Sequence, residues 1–197
     1  MSSFRSEPFL WIHLAGIAAL PILLQIAWIG LAVGDPLPGY WLELIFLLVI
    51  AIAPISWMQW YKPFDIFSLL FVAQRPELLT PEQLKILSLF KRPKHRFITV
   101  LGTVLMIAGL WKIYQIAPIA TPAAAFLPQW RIIGLLIASL AFLASHLFLQ
   151  VPLSVLGVLF TKNEQWEKTE PIPVSNIAQS FTLLGIRVRK ILPTLVS

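Results

Sequence analysis

Long apolar runs alternate with short polar breaks along the chain. Four runs are long enough to cross a hydrocarbon core of about 30 Å, which takes roughly 20 helical residues. They cover 9–33, 40–57, 97–117 and 130–151, the last with an apolar continuation to 160. Barrel strands would alternate polar and apolar positions; these runs do not, so the predicted spans are helices. The first run is too long for a signal peptide, only Arg5 precedes it and no convincing small-residue cleavage site follows. It reads as an uncleaved anchor.

The breaks differ from one another. "GDPLPG" (34–39) is a tight turn, so the first two spans form an antiparallel hairpin. "PIATPAAAFLPQ" (118–129) joins the last two. Segment 61–96 reads as a cytoplasmic amphipathic segment. Within it, "KPFDIFSLLFVAQRPELL" has too few apolar-rich residues after Asp65, a candidate cap, to span; 64–79 reads as interfacial or re-entrant. "LLTPEQLKILSLFK" predicts a helix with Thr80 and Gln83 as a capping box, Pro81 at its first position and Leu79 and Leu84 as a staple. Residues 161–173 read as an extended polar linker. In 174–197, Ile177, Phe181, Leu184, Val188 and Ile191 form one stripe, which predicts a C-terminal amphipathic helix.

Composition agrees with the pattern. The chain is 58% hydrophobic and 12% charged, where a soluble domain carries about 25% charged residues. One aqueous core cannot hide that much apolar surface. The expected fold is an all-α integral membrane protein: four transmembrane helices in two hairpins (1–160), with short cytoplasmic interfacial helices.

Charge sets the expected orientation. The segments at one end hold Lys62, Arg75, Lys85, Lys91, Arg92, Lys94 and Arg96, then Lys162, Lys168, Arg187, Arg189 and Lys190. Only Lys112 and Arg131 lie near the other end. Basic residues beside a span stay cytoplasmic, so both termini are expected there. Trp28, Trp41, Trp111 and Trp130 then fall near the outer interface, and Trp11, Trp57 and Trp60 near the inner one. Lys85, Lys91, Arg92, Lys94, Arg96, Arg187, Arg189 and Lys190 are the expected contacts to anionic lipid or a protein partner. No nucleic-acid-binding fold surrounds them.

Candidate chemistry is sparse. There is no cysteine, which removes disulfides, thiolate catalysis and thiolate metal sites. No H-E-x-x-H, G-x-S-x-G, Walker A or G-x-G-x-x-G pattern occurs, and no carboxylate pair lies within a span. His13 and His146 sit at similar depth from the basic end. They would ligate chlorophyll or haem, or each would hydrogen-bond a neighbouring helix. Glu43, Lys112 and Arg131 are expected to form an interhelix clasp, with Gln25 bonding across to the second span. Asp35 shapes its own turn, and Pro21 and Pro54 bend their spans.

Four stretches resemble a cyanobacterial group, the low-complexity tail membrane proteins: "SEPFLWIHLAGIAALP", "GLAVGDPLPGYWLEL", "WMQWYKPFDIFSLL" and "LTPEQLKILSLFK". The resemblance runs through Phe160, and the tail departs from an extended biased tract. It implies a thylakoid or plasma membrane and supplies no functional residues. The expected function is a non-enzymatic accessory or assembly subunit on a larger membrane complex, plausibly a photosystem. A small transporter or channel is the alternative, and an intramembrane enzyme acting on lipid is the second.

Overall fold

A computed structural model of the chain describes residues 4–69 and 71–192. It is mostly helical, and four helices have the length and hydropathy of membrane spans: Pro8–Leu31, Tyr40–Tyr61, Pro93–Gln115 and Arg131–Leu159. We call them spans 1 to 4. Spans 2 and 3 run longer at the basic end than the apolar pattern suggests, because Trp57–Tyr61 and Pro93–Arg96 continue the helices with interfacial residues.

Three prolines shape the spans. Pro21 offers no N–H to the Ile17 carbonyl, and span 1 tightens to a 3-10 turn over Gly16–Ala19, where the Leu20 N–H takes that carbonyl instead. Ahead of Pro54, span 2 opens into a π turn over Leu48–Ile52, with the Ala53 N–H reaching the Leu48 carbonyl. Pro152 lies inside span 4 and leaves the Phe148 carbonyl without its helical donor.

Small residues let the spans touch. A methyl group on Gly134 would stand 2.5 Å from the Gly30 carbonyl oxygen, so spans 1 and 4 cross backbone to backbone. Around that crossing Ala27, Leu47, Ala51, Met106, Ala138 and Phe142 fill the bundle core.

Span 4 has 29 residues, about 43 Å of helix, which overshoots a 30 Å core. The excess enters a second core at the basic end. There Val151, Val155 and Val158 pack with Phe9, Leu10, Phe67, Leu87 and Phe181. This end of the molecule is therefore a folded cap with its own apolar interior, beyond a set of surface helices.

Three features of the cap go beyond the sequence reading. First, 64–79 holds a short hairpin, followed by a 3-10 turn over Pro76–Leu78. The Asp65 carboxylate accepts from the Phe67 N–H at 3.0 Å, a turn geometry that starts a strand, and β1 (Ser68–Leu69) pairs antiparallel with β2 (Val72–Gln74). Second, the C-terminal helix stops at Ser180. Ile177 and Phe181 are buried as the stripe requires. Gly185 then takes φ +97°, and Ile186–Val188 forms β3, parallel to β2 with Ala73 opposite Arg187. "IRVRK" alternates with period two, which is a strand pattern. Residues 193–197 of the predicted helix lie outside the described residues. Third, 161–173 is mostly exposed, as a solvated linker is, but it is not extended throughout and is strapped to the cap. It forms a helix over Asn163–Glu167, buries Thr161 and Thr169, and donates from the Ile172 N–H to the Leu84 carbonyl.

The Pro81–Phe90 helix forms with its capping box: the Gln83 N–H donates to Thr80 Oγ1 at 3.2 Å and the Thr80 N–H to Gln83 Oε1 at 3.0 Å. It does not merely lie on the surface, because Ile86, Leu87, Leu89 and Phe90 all enter the cap core.

Candidate functional site

At the end opposite the cap, one residue from each span meets. Glu43, in the first turn of span 2, is fully buried. Arg131, the first residue of span 4, grips it at two points: Nε donates to Oε1 at 2.6 Å and Nη2 pairs with Oε2. Tyr114 of span 3 donates to Oε2 at 2.7 Å, and the Leu37 N–H to Oε1 at 2.8 Å. Arg131 Nη1 donates to the Leu31 and Val33 carbonyls at the end of span 1. The guanidinium thus neutralises both a carboxylate and the negative end of a helix. The expected clasp exists, with Tyr114 in the place expected for Lys112, which is exposed. Tyr114 and Arg131 also border an open cleft of about 630 Å³ at this end, lined as well by Asp35, Gln115 and Gln129.

His13 lies at the opposite end, in a cleft of about 320 Å³ between spans 1 and 4 and the β1–β2 hairpin. Ile12, Gly16, Phe64, Leu147, Phe148 and Pro152 are among its walls. Twenty residues of span 4 counted from Arg131 end near Gln150, so the cleft lies about one hydrocarbon thickness from the Glu43–Arg131 clasp. His13 Nδ1 is 3.0 Å from the Phe9 carbonyl oxygen, which only accepts, so the ring donates from Nδ1. In the neutral ring Nε2 then carries the lone pair. The Ser68 carbonyl also borders the ring. The polar end of this apolar cleft is therefore rich in acceptors, and it matches a ligand that brings a hydroxyl, an amine or a metal centre.

His146 has different surroundings. It is fully buried, faces the Ala51 and Ile52 carbonyls of the π turn, and has no hydrogen-bonded ring nitrogen among the described residues. His13 faces the cleft beside Leu147 and Phe148. The two imidazoles do not share a site. A sealed ring also leaves no room for a porphyrin face at His146.

Below His146 runs a polar row that sequence reasoning missed. Gln150, one turn on, donates to the Thr99 carbonyl at 2.8 Å, and its Oε1 fills the space over Gly102, where a methyl group would lie 1.9 Å away. His95 packs against Gly157. Ser56 and Thr103 share a hydrogen bond of 2.8 Å between spans 2 and 3. The i, i+4 spacing of His146, Gln150 and Ser154 was the available signal.

Most of the basic residues expected to meet lipid or a partner serve the cap itself. Lys91 donates to the Tyr61 carbonyl and sits over the Phe181 ring. Burial and the neighbouring Arg96 and Lys62 charges hold Lys91 below its ordinary pKa. Arg92 reaches the Gln165 carbonyl and Thr169 Oγ1, fastening the strap. Lys94 takes the Gly157 carbonyl. Lys85 and Arg96 lie over Trp166 and Trp60. Arg187 and Arg189 instead line an exposed groove with Arg75 and Glu77, and Lys190 is exposed beside them. Gln25 is exposed on the lipid side of span 1 and does not bond to span 2.

Among the described residues, no group of three or more His, Cys, Asp or Glu side chains is placed to hold a metal ion. A family model described as low-complexity tail membrane protein-like matches residues 6–193, so the match extends through the cap and its β3 strand. No curated protein and no solved structure matches the chain.

Proposed function

The chain belongs to the low-complexity tail membrane protein-like family, and we propose that it is a non-enzymatic accessory subunit of a larger membrane complex, holding one lipophilic amphiphile in the His13 cleft. One observation carries this reading. The cleft is apolar, lies about one hydrocarbon thickness along span 4 from the clasp, and presents a single imidazole among backbone acceptors. An acyl or isoprenoid chain fits the walls; a hydroxyl or amine at its head fits His13. The host we favour is a photosynthetic complex, with the cap and both chain ends in the cytoplasm. Support for the host comes from the family resemblance, and for the orientation from the charge bias.

The alternatives draw less support. A transporter needs a polar cavity near the bilayer midplane, and the bundle core there is filled by Ala27, Leu47, Ala51 and Phe142. An acid–base pair of His13 and His146 needs both rings in one cleft, and only His13 lines it.

Purification in mild detergent, followed by native mass spectrometry, lipid extraction and an absorbance spectrum, tests the proposal. Gly16 lines the cleft, and a methyl group on it would stand 3.2 Å from the Phe148 ring, so Gly16→Leu fills the cleft. The wild type should carry about one amphiphile per chain and co-migrate with a larger complex, and Gly16→Leu should lose the amphiphile with its helicity intact. A bare wild type, or equal lipid content in both proteins, contradicts the ligand; the absence of any host contradicts the accessory role.

A further inference from the structure

Span 1 presents a second face that the four-span bundle does not use. Its inner face, with Ala27, Gly30 and Leu31, packs against span 4. Trp11, Ala15, Ala18, Ile22 and Gln25 are all exposed. They run along the exposed side of span 1, across the 3-10 turn at Gly16–Ala19. Gln25 lies six residues before the Leu31 end, about 9 Å of helix inside the span. Its amide has one acceptor and two donor hydrogens, and none has a partner among the described residues. Hydrocarbon supplies none either. An exposed glutamine at this depth calls for a polar partner from another helix.

We propose that this ridge is the contact surface for a second copy of the chain, with the two Gln25 amides hydrogen-bonded to each other across a two-fold axis normal to the bilayer. Three features select a copy of itself. An amide both donates and accepts, so it is complementary to its own image. A second copy inserts the same way round, so its Gln25 arrives at the same depth and the helices run parallel. A two-fold axis sets each ridge residue against its own counterpart, and the small Ala15 and Ala18 let the two backbones approach. The inference does not depend on what the His13 cleft holds.

The absence of native cysteine gives a clean test in the full chain and in native membranes. Single variants Ala18→Cys and Ile22→Cys should form disulfide-linked dimers on mild oxidation. Leu24→Cys, whose side chain packs against the bundle core, should not. Gln25→Leu should weaken self-association in detergent by about threefold or more, with Gln25→Asn restoring part of it and both variants keeping wild-type helicity. Equal cross-linking at position 24, no cross-linking at 18 and 22, cross-links to a different protein only, or a Gln25→Leu variant that dimerises like the wild type would each overturn the proposal.

Discussion

Arg131 holds Glu43 through two nitrogen–oxygen contacts, which locks the first turn of span 4 to the first turn of span 2. The remaining partners come from Leu31 at the end of span 1, Val33 and Leu37 in the turn that follows it, and Tyr114 of span 3. A buried ion pair is weak evidence of net stabilisation, but removing one partner leaves a charge with no counter-ion. Arg131→Met should cost about 3–5 kcal/mol. The double variant Glu43→Leu with Arg131→Met should recover much of that loss. Thermal unfolding in detergent, followed by circular dichroism, checks both.

Asp65 gives the cap a pH dependence. Burial pushes its carboxyl up to about 6, opposed by the Phe67 N–H, and its Oδ2 has no partner among the described residues. A carboxyl raised in the fold binds its proton more tightly than in the unfolded chain. Stability therefore falls as pH rises from about 4 to about 6, and the full cost, on the order of 3 kcal/mol, is present at neutral pH. Asp65→Asn keeps an acceptor for Phe67 and removes the charge. It should stabilise the cap at pH 7.5 and leave it little changed at pH 4, as read by amide exchange at Phe67 and Ser68.

Two glycines should respond in opposite directions. A side chain on Gly134 meets the Gly30 carbonyl, whereas one on Gly109 meets nothing within 4 Å. Gly134→Ala should separate spans 1 and 4 and lower the melting temperature. Gly109→Ala should leave it unchanged or raise it, because alanine is the better helix former by about 0.5–1 kcal/mol. Equal behaviour of the two variants would refute the backbone contact.

Gly185 sets the turn into β3. With φ +97° and a methyl position 2.2 Å from the Phe71 carbonyl carbon, Gly185→Ala should release β3 from β2. Limited proteolysis should then cut between Thr182 and Lys190, where the wild type resists.

The four spans were legible because uninterrupted apolar length is a strong signal, and the clasp was legible because charges at span ends are few. The cap was not. Ile177, Phe181 and Leu184 satisfy a helical stripe, and only Gly185 and the alternation of Ile186–Arg189 reveal that the backbone changes period. The basic residues of "KRPKHRF" show a topological bias by number alone. Whether each one meets lipid or a carbonyl 60 or more residues away, as Lys94 meets Gly157, depends on tertiary contacts that local pattern does not encode. His146 and Gln150 read as isolated polar residues until Gly102 and the π turn are placed against them.

The central claim is that four spans carry one folded cap at the basic end. Cysteine placed singly at Glu82 in the cap and at Asp35 in the first turn, both exposed, tests it most directly with a membrane-impermeant maleimide on sealed membrane vesicles of known sidedness, before and after permeabilisation. The account predicts that Glu82→Cys is labelled from the cytoplasmic face and Asp35→Cys from the opposite face. Labelling of both positions from the same side would contradict it.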